Sequence, residues 1–578
     1  MSQPHKTSVW RWAALAAAAI LASYATPAQT LDGTATVSTQ VDVQVDAAEL
    51  TQRLDEHHAR LDAAAAERQA LRRAVDALAQ ATPTPTPETD ADNDTDANAA
   101  AAAGFTVFKP TDDTRVYYVA ADGNDRNTGL TPEAPLRTPQ AGYKKLRNDA
   151  ADHLLFKAGD TFVGNLGTLN KSGQSPKKPM VFGVYGEGPR PIFLSPADRW
   201  ASKAFKDRVD FVAFQGLHIV AMHRKQALDA RSSAALTPDR WKQSAIGLLG
   251  RSRHILIEDC KFEAFKFALV VQSGKDWGPA ENITIRRNIV VDSFGHWDKK
   301  IAGHSSGLYA EYIKGLTLED NVWDHNGWAE NVGGAKRTKF NHNIYIQADC
   351  TGVAVRRDII TRGSAHGLQV RPGGTVEDCL FVRNPLAFYV GRNPSVVKNN
   401  VVLHSINMGT DKDEDRGQGI GVNPCLDAVV TGNIVSQKHG TFKHAAAIHV
   451  DWSKNGMRWL NNRPFRASVV GNKVYRWPFV MSKPDEAHDP KAHERLSMKI
   501  NRAATLDRFE GNEADNPDWV DPDRDVASYM ASLGHTGIDA SFEAFLGHVR
   551  NRQRNQWDPR FTAPAVNDYV RAGFAVRD

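Results

Sequence analysis

One short pattern returns seven times along this chain: a branched apolar residue, two polar or small residues, then Asn, Asp or Cys, then a further apolar segment. The instances are Ile257-Glu-Asp-Cys260, Ile285-Arg-Arg-Asn288, Leu318-Glu-Asp-Asn321, Val355-Arg-Arg-Asp358, Val376-Glu-Asp-Cys379, Val397-Lys-Asn-Asn400 and Val430-Thr-Gly-Asn433, with a looser eighth at Val469-Val-Gly-Asn472. The steps from Asp358 to Cys379 and from Cys379 to Asn400 are both 21 residues, and the others are longer, as inserted loops would make them. A repeat of this length, with short β-rich segments and a turn residue at a fixed place, predicts a solenoid in which each repeat is one coil.

The rest of the chain is bounded more loosely. A net charge of +4, with both signs mixed, gives no argument for nucleic acid or an anionic membrane. Residues 1–28 read as a secretory signal: Lys6 and Arg11 precede the apolar run Ala13–Ala22, and small residues follow to Ala28. That run is too short to span a bilayer and no later stretch is long enough, so the expectation is an exported protein, periplasmic or secreted, without stable membrane insertion. Residues 29–81 are expected to be helical. Leu50, Leu54, Leu61, Leu71, Val75 and Leu78 give partial heptad spacing, which fits a solvated helix or a coiled coil forming a homo-oligomer through 47–81. Residues 82–104, alternating Thr and Pro before an acidic and an Ala-rich stretch, read as a disordered linker.

The coils are assigned to 105–482. They open with the strand Arg115–Ala120, a turn-rich loop at Asp122–Gly129, a short helix near Gln140–Arg147 and the strand His153–Phe156. The Asp/Asn loop is a calcium candidate, or its side chains satisfy their own turn backbone. The stretch Tyr117–Leu146, followed by Leu154–Gly164 with its Gly-Asp-Thr-Phe, resembles the opening of bacterial right-handed parallel β-helix proteins of the pectate-lyase-like superfamily. The resemblance extends over about 115–480. It implies an all-β, right-handed, single-stranded parallel β-helix capped by a helix, and activity on polysaccharides. The superfamily contains lyases, hydrolases, epimerases and phage depolymerases, so it does not choose the reaction. Residues 483–578 read as a helical extension that packs on the stack or covers its open end.

Of four Cys, Cys260 and Cys379 share one place in the repeat, four coil steps apart. At ~4.8 Å per step they stand ~19 Å apart, far beyond disulfide reach, and they read as core fillers. Cys350 with Cys425 stays open.

Each coil carries a second strand ahead of the Asn position: Leu308–Glu311, Ile344–Gln347, Leu368–Arg371, Phe388–Gly391, Ile420–Asn423 and Ile448–Asp451. Alternation turns the second and fourth residues outward. Stacking then builds one column of Tyr309, Tyr345, Gln369, Tyr389, Gly421 and His449, and another of Glu311, Gln347, Arg371, Gly391, Asn423 and Asp451. His342 and His366 fall at equivalent places just ahead. Aromatic rings stack on sugar faces and Arg pairs with carboxylates, so this face, with Arg392, is the candidate site for an anionic polysaccharide. The long 321–358 connection adds Lys336, Arg337 and Lys339 as candidate substrate contacts, or an ordinary solvated charge run. It also adds Asp324, His325 and Glu330, a weak candidate metal set or a polar turn.

Glycoside hydrolysis needs two carboxyls roughly 5–10 Å apart. Glu311 and Asp451 are five coil steps apart, about 24 Å, so a hydrolase would need loop acids. β-Elimination of a uronate needs a cation on the sugar carboxylate, a base for the C5 proton and an acid for the leaving oxygen. Arg371 suits the first role, His366 or His342 the second and Tyr345 the third, with Tyr309, Glu311, Lys336, Arg337, Gln369, Tyr389 and Arg392 as substrate contacts. The expectation is a lyase. A hydrolase, a C5-epimerase and a non-catalytic polysaccharide-binding protein of the cell envelope are the alternatives, and Ca²⁺ in place of Arg is open.

Overall fold

The computed structural model describes residues 104–577 apart from 197–198, 233–235, 237–243, 296–302, 409–417, 438–445, 451–464, 478–497 and 501–503. The signal segment, the helical region and all but the last residue of the linker lie outside the described residues, as does Asp451.

Each coil passes through three short strands, and equivalent strands of successive coils pair in parallel. Among the described residues they build sheet A with 13 strands, sheet B with 12 and sheet C with 11. This is the right-handed parallel β-helix. In one coil Ser306–Glu311 lies in sheet C, Ile313–Glu319 in sheet A and Val322–Asp324 in sheet B, before the chain climbs to His342–Ile346 in sheet C.

The repeated pattern is the corner from sheet A to sheet B. Its branched residue points into the core, as Ile285, Leu318, Val355 and Val397 do with no exposed surface. The residue before the Asn takes a left-handed conformation, with φ 57° at Asp320 and Asn399 and 64° at Gly432 and Gly471, which favours the Asp, Asn and Gly found at most corners, while Arg287 and Arg357 adopt it at 54° and 53°. The buried Asn side chains form ladders along the stack. The N–H of Asn288 donates to Asn321 Oδ1 at 3.0 Å and that of Asn321 to Asp358 Oδ1 at 2.8 Å. In the second run Asn400 donates to Asn433 at 3.0 Å and Asn433 to Asn472 at 3.1 Å. Cys260 and Cys379 stand at the foot of each run, donating their N–H to Asn288 and Asn400. All four cysteines are free and buried, so Cys350 and Cys425 do not pair.

The coils continue past the expected boundary at 482. Ala504–Glu510 pairs with Phe465–Val470, and Asn512 Oδ1 accepts from Asn472 N–H at 3.0 Å, one further rung of the ladder. This last corner, Phe509-Glu-Gly-Asn512, carries Phe where the corners of the repeated pattern carry a branched aliphatic residue, which hides it from the pattern.

The helical part begins at Val526. Helices Val526–Ser532, Phe542–Arg550 and Ala563–Gly573 cover the outer face of sheet B: Phe545, Leu546, Val549, Val566 and Val570 form one buried cluster with Ile289, Val322, Ile359, Val382, Leu403 and Ile434. The sheet B strands Ile289–Val291, Leu380–Val382 and Val401–Leu403 therefore bury both faces and carry apolar residues throughout, instead of alternating. Among the described residues no helix is long and apolar enough to cross a membrane.

At the other end, Pro139–Lys145 is the capping helix, started by Thr138, whose hydroxyl accepts from Ala141 N–H. Asp125, the centre of the calcium-candidate loop, spends its carboxylate on Arg137 N–H, Thr138 N–H and the Thr138 hydroxyl, so the loop satisfies its own turn and the helix start. Ahead of the first strand the chain is pinned on sheet A. Thr106 N–H donates to Glu258, its carbonyl accepts from Gln215, and its hydroxyl accepts from Arg286, linking three successive strands.

Candidate active site

Register within sheet C brings the predicted residues together. Tyr309 pairs with Tyr345, Tyr345 with Gln369, Gln369 with Tyr389, Tyr389 with Gly421 and Gly421 with His449. His342 pairs with His366. In the fourth-residue column the register shifts between Val390 and Arg392, so Gly391 does not continue it cleanly.

A cleft of about 430 Å³ lies on this face, and its lining includes His342, Tyr345, His366, Gln369, Arg371 and Tyr389. At its floor the two imidazoles meet: Nδ1 of His342 and Nδ1 of His366 are 3.0 Å apart, the rings 4.6 Å between centroids and 77° to each other. Both residues are almost wholly buried. Gly367 lets the neighbouring coil approach, since a Cβ there would stand 2.5 Å from the Ala387 carbonyl oxygen. A second polar ladder fixes the strand starts: Asn326 N–H donates to Asn343 Oδ1 at 3.0 Å, and Gly363 N–H to Asn384 Oδ1 at 2.9 Å.

Around the pair, Tyr345 stands 5.0 Å from His342 and Tyr389 6.2 Å from His366. The Arg371 guanidinium lies over the Tyr345 ring at 5.2 Å and reaches Gln347 Oε1 at 3.5 Å, while its Nε is buried with no hydrogen-bond partner among the described residues. Burial raises the Tyr345 and Tyr389 phenols above their ordinary value, with Arg371 pulling the other way, so both are neutral proton donors at physiological pH.

Tyr309 and Glu311 sit one coil below the strand of His342 and two below that of His366, and they hold each other. The Tyr309 hydroxyl donates to Glu311 Oε2 at 3.0 Å, and Gln272 donates to the same oxygen at 2.7 Å. Burial, then Glu311 itself, pushes Tyr309 up to about 12. Arg392 stands at the register shift, where burial lowers it against the pull of Asp349, and it is not among the lining residues.

The loop cations divide. Lys336 is exposed and away from the lining. Arg337 is a correction to the expected substrate contact: it stacks 3.6 Å over Trp328 and donates to the carbonyl oxygens of Gly363 and Ser364, and burial lowers it to about 9. Its role is to hold the 328–364 loops. Lys339 does line the cleft, with His304 and Phe340 from neighbouring turns and Gln418, Asn423 and His449 from the coils above. His304 and Phe340 escaped the sequence reading because residues outside the strands follow no strand alternation, and Gln418, which opens the strand Gln418–Cys425, stands at the register position of His342 and His366, two coils above His366.

The candidate metal set does not converge. Asp324 is wholly buried and bonded to Thr361, Arg362 and Arg550, while His325 faces Asp292 at 2.8 Å and Glu330 at 2.9 Å, the latter as an ion-pair contact rather than a directed hydrogen bond. This cluster fastens the helix Phe542–Arg550 to sheet B. Among the described residues no group of three His, Cys, Asp or Glu is arranged to hold a metal ion.

The described lining residues include two tyrosines, four histidines, a lysine and an arginine, and no carboxylate. The acidic residues of 409–417 and Asp451 lie outside the described residues.

No family model and no curated protein match the chain. Among solved structures it is similar to the GH136 lacto-N-biosidase from Eubacterium ramulus, with 12% identity over 69% of this chain and 67% of that one and a TM-score of 0.36. It is similar to the alginate lyase from Paenibacillus sp. str. FPU-7, with 11% identity over 64% and 98% and a TM-score of 0.35. It is also similar to pectate lyase Pel9A, with 15% identity over 72% and 84% and a TM-score of 0.33.

Proposed function

We propose that the protein is an exported enzyme that cleaves a uronate-containing polysaccharide by β-elimination in the sheet C cleft. The observation that carries this reading is the make-up of the described lining: imidazoles, phenols and cations side by side, without a carboxylate. Elimination uses those groups. Arg371 receives the sugar carboxylate and offsets the charge that develops when C5 loses its proton. An imidazole of the His342–His366 pair takes the proton. Tyr345, kept protonated by burial, gives its own proton to the departing oxygen. Tyr389 and Gln369 hold the neighbouring sugar, and Lys339 adds a second cation at the rim.

Hydrolysis would need a pair of carboxyls facing one bond. Glu311, whose neighbour Tyr309 pairs with Tyr345, is already taken up by Tyr309 and Gln272. C5 epimerisation draws on the same groups as elimination but leaves the chain intact.

The test is a panel of uronate polysaccharides followed by the ultraviolet absorbance of the unsaturated product, with and without EDTA. Absorbance that grows on one polymer and survives EDTA supports elimination with Arg371 as the neutralising group. Loss of activity in EDTA transfers that role to a divalent cation. New reducing ends without absorbance mean hydrolysis, inverted uronate without cleavage means epimerisation, and binding without any product means a carbohydrate-binding protein.

A further inference from the structure

We infer, resting on the elimination reading above, that His342 and His366 act as one proton relay through their facing Nδ1 atoms, with His366 on the base side and His342 on the acid side. A 3.0 Å contact between two imidazole nitrogens requires an N–H on one and a lone pair on the other. In the neutral pair the ring that donates from Nδ1 keeps its lone pair on Nε2, and the ring that accepts at Nδ1 carries its proton on Nε2. The pair therefore holds one base and one acid, never two of either. One extra proton removes the Nε2 lone pair. A second makes both Nδ1 atoms donors, and the bond between them is lost.

The surroundings assign the two ends. The His342 ring adjoins Tyr345, the proposed acid, and the His366 ring adjoins Tyr389 on the next coil. In the step, the C5–H bond breaks and its proton binds Nε2 of His366. The Nδ1 proton of His366 moves to Nδ1 of His342, and the Nε2 proton of His342 passes to Tyr345 as the Tyr345 hydroxyl proton goes to the leaving oxygen. The C5–H electron pair forms the double bond to C4, and the C4–O pair leaves with the oxygen. The two rings end neutral with their tautomers exchanged, and proton exchange of the two Nε2 atoms with water restores the starting state as product departs. A charge never accumulates on the pair, which suits a buried site whose facing groups are the cations Lys339 and Arg371, the phenols Tyr345 and Tyr389, and His304 and His449.

Two measurements test the relay separately from the elimination reading. The first is nitrogen–proton correlation NMR on the wild-type protein with nitrogen-15 histidine. One ring protonated at Nδ1, its partner protonated at Nε2, and both signals shifting when either histidine is replaced are expected. Two rings that both carry their proton on Nε2 overturn the relay whatever the activity. The second is kcat of His342→Gln, His366→Gln and the double variant on the polymer found above. Each single change should lower kcat by roughly a thousandfold, with the double no more than about threefold lower again, because either loss breaks the same chain. Losses that multiply in the double variant, or singles within about threefold of wild type, overturn the relay while leaving the elimination reading in place. A wild-type protein that eliminates no polymer removes the elimination reading, and the relay with it, even where the bridging proton is observed.

Discussion

Trp323 Nε1 donates to Asp358 Oδ2 at 2.8 Å, and this bond explains why one rung of the Asn ladder is an aspartate. Asp358 Oδ1 does what the other ladder side chains do, accepting from Asn321 N–H. An Asn in this orientation would turn its NH₂ toward the indole N–H, donor against donor. Burial pushes the Asp358 carboxyl up to about 8, and a protonated carboxyl oxygen still accepts through its remaining lone pair.

Asp358→Asn should therefore destabilise the coils by about 2 kcal/mol in mildly acidic buffer, the cost of an orphaned buried donor. Trp323→Phe should abolish that penalty in a double-mutant cycle followed by denaturant unfolding. The wild type carries its own pH dependence. With the folded carboxyl raised, the stabilisation is complete below the unfolded value of ~3.9 and is lost as pH rises through about 8. The penalty of Asp358→Asn should accordingly shrink in alkaline buffer. Equal stability of Asp358→Asn and wild type in acid would contradict this account of the rung.

The helix Phe542–Arg550 is tied to sheet B through Arg550, which bonds Asp292 and Asp324. Burial alone would raise Asp324, but Arg362 and Arg550 outweigh it and hold the carboxyl well below the usual range. Arg550→Ala should cost ~2 kcal/mol or more by denaturant unfolding, somewhat less than a fully stranded buried pair because Arg362 remains.

His325, in the same cluster, responds to pH in the opposite sense to the carboxylates. Burial would lower it, but Asp292 and Glu330 together hold it above its ordinary value. Its stabilising contribution is complete below the unfolded value of ~6.5 and is lost as pH rises through the higher folded value. The depressed carboxylates contribute above ~3.9 and fail as pH drops below it. Unfolding free energy measured across pH should fall on both sides, and His325→Gln should flatten the alkaline decline and also soften the acid one, because His325 helps to hold Glu330 and Asp292 below their ordinary values.

The Thr106 strap predicts a sharp limit to trimming. A chain beginning at Phe105 should melt like the longest chain tested, whereas one beginning at Arg115 should lose the bonds to Gln215, Glu258 and Arg286 and the burial of Phe105. Burial of one Phe alone is worth about 2 kcal/mol. Indistinguishable melting curves for the two would show that the strap adds nothing.

Arg371→Ala should lower kcat/KM by roughly a hundredfold or more, about 3 kcal/mol of transition-state stabilisation, while unfolding stays within ~0.5 kcal/mol of wild type. Arg337→Ala should do the reverse. Its guanidinium fills the Trp328–Gly363 turn, so stability falls while the catalytic step is disturbed only through loop position.

The coil stack was legible because its corners demand particular chemistry. A left-handed residue followed by a buried ladder amide leaves a mark that survives loops of any length. The sheet C face was legible in part, since parallel register with period-two alternation carries Tyr345, Gln369, Arg371 and Tyr389 to one side, whereas His342 and His366 share the parity of the core residues Ile344 and Leu368 and reach the cleft through a break in alternation at Asn343 and Gly367. Loop geometry was not. Whether Arg337 or Lys339 reaches the cleft depends on Trp328 offering a ring to one and not the other, a tertiary fact that charge spacing does not encode. The C-terminal helices were readable as helices, but their seat on sheet B was visible only in the unalternated apolar strands of that sheet, which a buried end would also have produced.

The central claim, that this cleft breaks a uronate polymer without adding water, is tested most directly by running the reaction in heavy-oxygen water and weighing the oligosaccharide products. Elimination predicts products lighter by one water than hydrolytic fragments, with no heavy oxygen at the new ends and none formed by Arg371→Ala. Fragments carrying one heavy oxygen each would contradict it and assign the cleavage to hydrolysis.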